Sequence, residues 1–371
     1  MHLPPLFRVG RAVAVLFPMF FSAGCAETTL RHVWEARLAE RIVEPPGWSA
    51  ARSHPVLEIA FSPDGKKLAA TIDDHFETRA HSTHLLILDA QSPQKPFQQL
   101  NLETCGHFLS WAPAGNVLLV CGMVVRLDNG GSCDLRETSL DKTTSSFYNH
   151  TFWFNEDHVI RADRTITDLS CRPSGTWAVE NNWGVADSKA SKGWVLLQRS
   201  FRRTIEGKTL LFNRYMIADR DSGRLTSGVF ADTYGDGGAI VVPAAELICS
   251  TVEHAGQGTR TLGCWHLPGG NPAPLAPKLR DWRIARVSLN TPIVVAERFG
   301  YSWTLLGDAV SRVNVMVIDI RSGRGLIEMN APQRASSSPQ IRDSFFQYAL
   351  SPDGGLLAEG GDGTLRLLGL Q

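Results

Sequence analysis

Short apolar runs separated by turn residues punctuate the chain from Val56 onward. The first three are Val56–Phe61, Lys67–Thr71 and His84–Leu88, and they are rich in aliphatic and β-branched residues. Runs of this kind bounded by Gly, Pro and Asp predict strands buried on at least one face. Ser62-Pro-Asp-Gly65 joins the first two. There Pro63 pre-sets φ at the first corner, Asp64 caps its own backbone and Gly65 accepts a positive φ. A polar segment, Asp73–Thr83, leads to the third run, which closes on Asp89.

The unit returns along the chain. Trp111-Ala-Pro-Ala-Gly115 precedes Asn116–Cys121, Cys171-Arg-Pro-Ser-Gly175 precedes Thr176–Val179, and Leu350-Ser-Pro-Asp-Gly354 precedes Leu356–Ala358. Pro63 and Pro113 lie 50 residues apart, Pro113 and Pro173 60, and Pro173 and Pro352 179. The last gap leaves room for three units with eroded turns, expected near Thr209–Phe212, Ile240–Val242 and Arg286–Ala296. A second echo, Ile217-Ala-Asp-Arg-Asp-Ser-Gly-Arg224 against Val317-Ile-Asp-Ile-Arg-Ser-Gly-Arg324, spans 100 residues, or two units. Phe152–Ile160 reads either as a turn of its own or as the outer strand of the preceding unit. A period near 50 with several short strands per unit predicts an all-β fold, a β-propeller. Seven four-stranded blades fit best, with six or eight as alternatives. Phe345–Leu370 offers three strands where a blade needs four. The N-terminal segment around Arg31–Leu38, or else Val43–Ser49, is therefore expected to supply the missing strand and close the ring.

The residues Phe61-Ser-Pro-Asp-Gly-x-x-Leu-Ala followed by Leu85-Leu-Ile-Leu-Asp89 resemble the WD40-like propeller families. The resemblance spans Val56–Leu370 and is most specific in the first and last blades. The Trp-Asp signature is absent, with Leu88, Ile318 and Leu368 at the Trp position, which implies a divergent bacterial branch. The resemblance implies that the turns between a blade's first and second strands share one face with those between its third and fourth. Connections between second and third strands lie on the opposite face. Asp73–Thr83, Trp183–Lys192 and Phe299–Arg312 read as long connections of that second kind, and long loops on one face of a rigid scaffold mark a binding face.

The first 25 residues differ from the rest. Arg8 and Arg11 precede an apolar run, Ala12–Phe21, that ends in Ser22-Ala-Gly-Cys25. This is the layout of a secretory leader. Ser-Ala-Gly-Cys also resembles a bacterial lipobox, which implies lipidation at Cys25; Ser22 departs from the aliphatic residue of that pattern. Residues 1–25 are thus read as a signal peptide or lipoprotein leader and 26–371 as one propeller domain. The expected location is extracytoplasmic: a membrane-anchored lipoprotein, or a periplasmic or secreted monomer. Without Cys25 six cysteines remain, at 105, 121, 133, 171, 249 and 264. An even number permits disulfides in an exported chain. Cys249 with Cys264 is one candidate pair, and buried free thiols are the competing reading.

Lysine plus arginine equals aspartate plus glutamate at 37 each, which removes the electrostatic argument for nucleic acid. Arg199-Ser-Phe-Arg-Arg203 reads as a solvated strand edge or loop. His75, His81 and His84, with Asp73, Asp74 and Glu77, are candidate transition-metal ligands, and a solvated polar loop is the competing reading. Asp232-Thr-Tyr-Gly-Asp-Gly237 lacks the ligand pattern of a calcium loop. The chain has no Gly-x-Ser-x-Gly, His-Glu-x-x-His or phosphate-loop motif, and no cofactor is expected. Trp153, Trp177, Trp183, Trp194 and Trp303 are read as inter-blade packing, with sugar stacking as the alternative. The functional expectation is a non-enzymatic scaffold presenting one loop-rich face to protein partners. A lactonase-like propeller hydrolase and a carbohydrate-binding module are the alternatives.

Overall fold

The structure, a computed structural model, describes residues 30–38, 56–73, 83–93, 98–102, 108–135, 151–161, 163–179, 183–189, 193–205, 207–225, 230–234, 239–254, 259–267, 269–275, 279, 282–304, 307–330, 347–361 and 363–370. The described strands form seven four-stranded antiparallel sheets, the blades of a propeller. Strand β1 is Leu30–Arg37. Blade 1 is β2 to β5, Val56–Phe61, Lys67–Asp73, Thr83–Asp89 and Gln98–Leu102. Blade 2 is β6 to β9, Ser110–Trp111, Val117–Val120, Met123–Arg126 and Ser132–Asp134. Blade 3 is β10 to β13, Thr151–Trp153, His158–Arg161, Thr165–Asp168 and Pro173–Thr176. Blade 4 is β14 to β17, Gly184–Lys189, Trp194–Ile205, Lys208–Asp219 and Phe230–Tyr234. Blade 5 is β18 to β21, Ala239–Val242, Leu247–His254, Thr259–His266 and Pro272–Ala273. Blade 6 is β22 to β25, Trp282–Val287, Ile293–Thr304, Gly307–Asp319 and Arg324–Asn330. Blade 7 is β26 to β28, Gln347–Leu350, Leu356–Gly360 and Thr364–Leu370, completed by β1. Strand β1 runs antiparallel to β28, from Leu30 opposite Leu370 to Arg37 opposite Thr364. The expected closure by the segment around Arg31–Leu38 is therefore present.

Within a blade the four strands are called a to d in chain order, and in blade 7 β1 serves as d. Packing explains why these strands read as unbroken apolar runs. Successive residues point to opposite faces of a strand, and in a ring each blade is covered on both faces. Strand β4 shows the consequence. Leu85 and Ile87 pack toward blade 2, while Leu86 and Leu88 pack toward blade 7. Each leucine so buried contributes roughly 1.5–3 kcal/mol. Seven hydrophobic clusters each bridge two adjacent blades, so the cores themselves form a closed ring.

The phasing of blade 3 differs from the sequence reading. Cys171-Arg-Pro-Ser-Gly175 is not an a–b turn: it joins β12 to β13, with the Asp168 carboxylate accepting from the Ser170 and Arg172 amides at 2.8 Å each. The a–b turn of blade 3 is Phe154–Asp157, closed by Phe154 N–H to His158 O at 2.9 Å. Phe152–Ile160 is thus a hairpin of its own. Thr209–Phe212 lies in β16 of blade 4, so a unit sits there as expected. Ile240–Val242 and Arg286–Ala296 likewise fall in blades 5 and 6 as expected.

Disulfides tie strands within and between blades. Cys249 and Cys264 are bonded directly across β19 and β20, the expected pair. Cys133 of blade 2 is bonded to Cys171 of blade 3. Cys121 is also disulfide-bonded.

Candidate interaction face

One face of the ring carries short turns that touch one another between blades 2, 1, 7 and 6. The a–b turns of neighbouring blades touch: Gly115 lies against Pro63, Gly65 against Pro352, and Gly354 against Thr291. Asn290 N–H and Ser288 Oγ both donate to the Pro352 carbonyl, at 2.9 and 2.8 Å. Gly354 has a φ of +70°, and a Cβ there would collide with Thr291 and Ile293, so both the backbone and the space require glycine. Asp64 and Asp353 stiffen two of these turns. Ser62 Oγ donates to Asp64 at 2.6 Å and Ser351 Oγ to Asp353 at 2.5 Å. These hydroxyls, then the turn amides, hold both carboxyls below their ordinary value. The c–d turns share the face, and those of blades 1, 4 and 6 use one device. The Asp that ends strand c accepts from the amides that follow it: Asp89 from Gln91 and Ser92, Asp219 from Ser222, Asp319 from Arg321 and Ser322.

The opposite face is built differently. In most blades the b and c strands end where their neighbours end. In blades 4, 5 and 6 they do not: β19 and β20 stay paired out to His254 and Thr259, while β18 stops pairing at Ser250 and β21 at Cys264. Strands β15 and β16 stay paired out to Ile205 and Lys208, while β14 stops pairing at Gln198 and β17 at Phe212. Strands β23 and β24 stay paired out to Thr304 and Gly307, while β22 stops at Arg298 and β25 at Asn314. Each blade therefore raises a two-stranded ribbon. The seven residues from Arg199 to Ile205 reach roughly 20 Å beyond the last pairing with β14.

The blade-4 ribbon is stiffened by its side chains. Phe201 and Phe212 face each other across the strands with ring centroids 5.8 Å apart, and the Arg214 guanidinium lies 5.1 Å from the Phe201 centroid. Ser200 Oγ and Gln198 Nε2 both donate to Asn213 Oδ1, at 2.7 and 3.0 Å. Arg199, Arg202 and Arg203 are exposed. The sequence reading placed Arg199–Arg203 on a solvated edge and missed the ribbon. It read Trp183–Lys192 as a long b–c loop, whereas Gly184–Lys189 is strand a of blade 4. Phe299–Arg312 is a b–c connection as expected, folded as the blade-6 ribbon.

The other candidates are dispersed. His84 is inside β4, fully buried, with its Nδ1 2.6 Å from Asn101 Oδ1 on β5. It lies five residues before Asp89, as Asn314 lies five before Asp319, and Asn314 likewise bonds its outer strand, at Glu328. That place in a blade carries a c-to-d polar tie. His75, His81, Asp74 and Glu77 lie outside the described residues, as does Cys25. No group of three His, Cys, Asp or Glu side chains among the described residues has metal-binding geometry. Asp232–Tyr234 is part of β17. Trp153, Trp177 and Trp183 are buried between blades. Trp153 Nε1 donates to Ser110 O at 3.4 Å and Trp177 Nε1 to Arg220 O at 2.8 Å, each crossing to a neighbouring blade.

The inner strands carry one polar cluster that joins three blades. Arg286 of blade 6 donates through Nε to Tyr348 O at 3.0 Å and through one terminal nitrogen to Gln347 Oε1 at 3.2 Å, both on blade 7. The same nitrogen is ion-paired with Glu58 of blade 1. Its other terminal nitrogen donates to Ala285 O at 2.9 Å. A bulge at Ala285 in β22 and another at Leu57 in β2 precede the two charged residues and re-aim them. Every guanidinium nitrogen is engaged, so the cluster clamps blades 6, 7 and 1 together.

No known family profile matches the chain, and no curated protein matches it. Many solved chains share the fold. One is a chain of the crystal structure of the mitotic checkpoint complex, similar with a TM-score of 0.52 at 12% identity, over 100% of this chain and 99% of that one. At that identity the likeness shows the fold alone: this chain is a seven-bladed β-propeller.

Proposed function

We propose that the protein is a non-enzymatic interaction scaffold, a divergent relative of the WD40-like propellers, that docks a protein partner on the face carrying the blade-4 and blade-6 ribbons. The observation that carries this reading is the asymmetry of the two faces. One carries short turns that touch one another between blades 2, 1, 7 and 6, while on the other the strand pairs of blades 4, 5 and 6 run on beyond their neighbours, with Arg199, Arg202 and Arg203 of blade 4 exposed. Structure that extends beyond the core of a rigid scaffold adds binding surface. The mitotic checkpoint neighbour, a component of a protein complex, supports the same class of function. The carboxylate that joins several inner strands, Glu58, is committed to Arg286, which favours a scaffold over a hydrolase. The buried tryptophans favour it over a sugar-stacking module.

The reading includes export. Residues 1–25 are the leader, and Cys25 is the site of lipid attachment if the lipobox resemblance holds. All five described cysteines are in disulfides, which fits an oxidising compartment. Fatty-acid labelling of the parent that is abolished in Cys25→Ala supports the anchor; equal labelling of both, or none of either, removes it. The docking face is tested by a photo-crosslinking residue placed in the cell at exposed Thr204 on the ribbon or at exposed Lys66 on the turn face. Discrete protein adducts from position 204 and none from 66 support the reading. Adducts from 66 alone, or from neither, overturn it.

A further inference from the structure

We propose that the inner edge of the blade-4 ribbon takes an extended acidic segment of the partner protein as an added β-strand. This rests on the docking-face reading and names the chemistry of what docks there.

Charge is the first observation. Residues 199–214 contain Arg199, Arg202, Arg203, Lys208 and Arg214 against the single acid Glu206, in a chain whose charges as a whole balance at 37 of each sign. Arg199, Arg202 and Arg203 are exposed and make no ion pair among the described residues. A concentration of one sign on a projecting element attracts a partner of the other sign and sets its orientation.

The backbone is the second. Arg199–Ile205 of β15 has β16 on one side and no described strand on the other, because β14 pairs no further than Gln198. Along an antiparallel strand alternate residues send their N–H and C=O to alternate sides. The ribbon thus presents a row of donors and acceptors on its inner edge. Such an edge is a template for another polypeptide. A nucleic-acid strand brings phosphates, which accept but do not donate, and leaves the carbonyls of the row unmatched.

The third is rigidity. The Phe201–Phe212 stack, the Arg214 contact on Phe201 and the Asn213 hydrogen bonds hold the ribbon in strand form before anything binds. A preformed edge avoids part of the ordering cost of association. Arg199 and Arg203 are opposite Arg214 and Leu210 and share a side of the ribbon with Phe201 and Phe212. An added strand sends every second side chain to that side. Acidic residues at alternate positions are therefore the complement.

The test uses the intact mature chain and a fluorescein-labelled peptide of alternating Glu and Val, read by anisotropy at low salt. Binding is expected for this peptide and not for its Lys-Val counterpart. Arg199→Glu with Arg203→Glu is expected to weaken it at least about tenfold, and Lys66→Glu on the turn face to leave it unchanged. A peptide N-methylated at alternate residues keeps its charge but loses its donors, and is expected not to bind the unaltered protein. Retained binding by the methylated peptide or by the double variant overturns the inference. So does tighter, arginine-dependent binding of a thymidine oligonucleotide. Absence of peptide binding while the position-204 adducts persist overturns the acidic strand alone; loss of those adducts overturns the docking face.

Discussion

The indole N–H of Trp34 donates to the carbonyl of Ala90 at 2.8 Å, across the seam where the first strand of the chain meets the first blade. Trp177 makes the same tie from blade 3 to Arg220 of blade 4, and in both cases the acceptor follows the Asp that ends strand c. A repeated strut therefore spans the closure point as it spans an internal joint. Trp34 is buried, so Trp34→Ala should cost about 3–5 kcal/mol. Trp34→Phe, which keeps most of the apolar area, should cost about 1 kcal/mol for the hydrogen bond. Deleting residues 28–49 removes β1 and leaves β28 an open edge, so it should cost more than either. Urea denaturation orders the three. A truncated chain as stable as the parent contradicts closure by β1.

Arg286 and Glu58 hold the same seam from inside the ring. Their side chains are 33% and 18% exposed, between the surface and buried regimes. A double-mutant cycle with Arg286→Gln and Glu58→Gln should give a coupling of about 1 kcal/mol. If Glu58 served a reaction instead of the clamp, the coupling in stability would be near zero.

The turn carboxylates predict a pH dependence. Asp64 and Asp353 are held below their ordinary value of 3.8, chiefly by the Ser62 and Ser351 hydroxyls. A depressed carboxyl adds stability above its unfolded pKa and loses it as pH falls through the folded one. Ser62→Ala with Ser351→Ala should therefore lower stability at neutral pH. The gap from the parent should narrow as pH drops below about 3.8. A gap that stays constant into acid assigns the serines a purely steric role.

Loss of a disulfide should be felt in proportion to the loop it closes. Cys133–Cys171 closes 38 residues and Cys249–Cys264 closes 15. Loop-closure entropy gives about 4 and about 3 kcal/mol. Paired Ser substitutions with calorimetry check the order. A larger loss at 249 and 264 would show that their cross-strand packing outweighs the entropy.

The fold was legible where the chain uses residues with only local alternatives. Pro63-Asp-Gly65 and Pro352-Asp-Gly354 can form little besides a tight turn, and they located the first and last blades. The echo of Asp219 and Asp319 worked because an Asp carboxylate bonding its own backbone is a local event. Blade 3 was misphased because Cys171-Arg-Pro-Ser-Gly175 spends the same residue types on a c–d turn, while Phe154–Asp157 makes its a–b turn without Pro or Gly. The ribbons were hidden for a different reason. Arg199, Ser200, Arg202, Arg203 and Thr204 are exposed, so the apolar periodicity that marks a strand fades. What remains, arginines alternating with Phe201 and Phe212, resembles a polar loop. His84 was grouped with loop histidines because sequence adjacency does not show where a loop ends and a buried strand begins.

The central claim, that the ribbons serve a partner and not the fold, is tested most directly by removing one. Residues 202–211 are replaced by an Asn-Gly turn, which suits a two-residue hairpin and keeps the Phe201–Phe212 pair and the pairing of β16 with β17. The mass of the native species extracted from cells is then compared with that of the parent. The account predicts that the parent runs in a heavier complex and the shortened chain as a lone propeller, with melting temperatures within about 3 °C of each other. A shortened chain that keeps the same complex, or a parent that is itself alone, contradicts it.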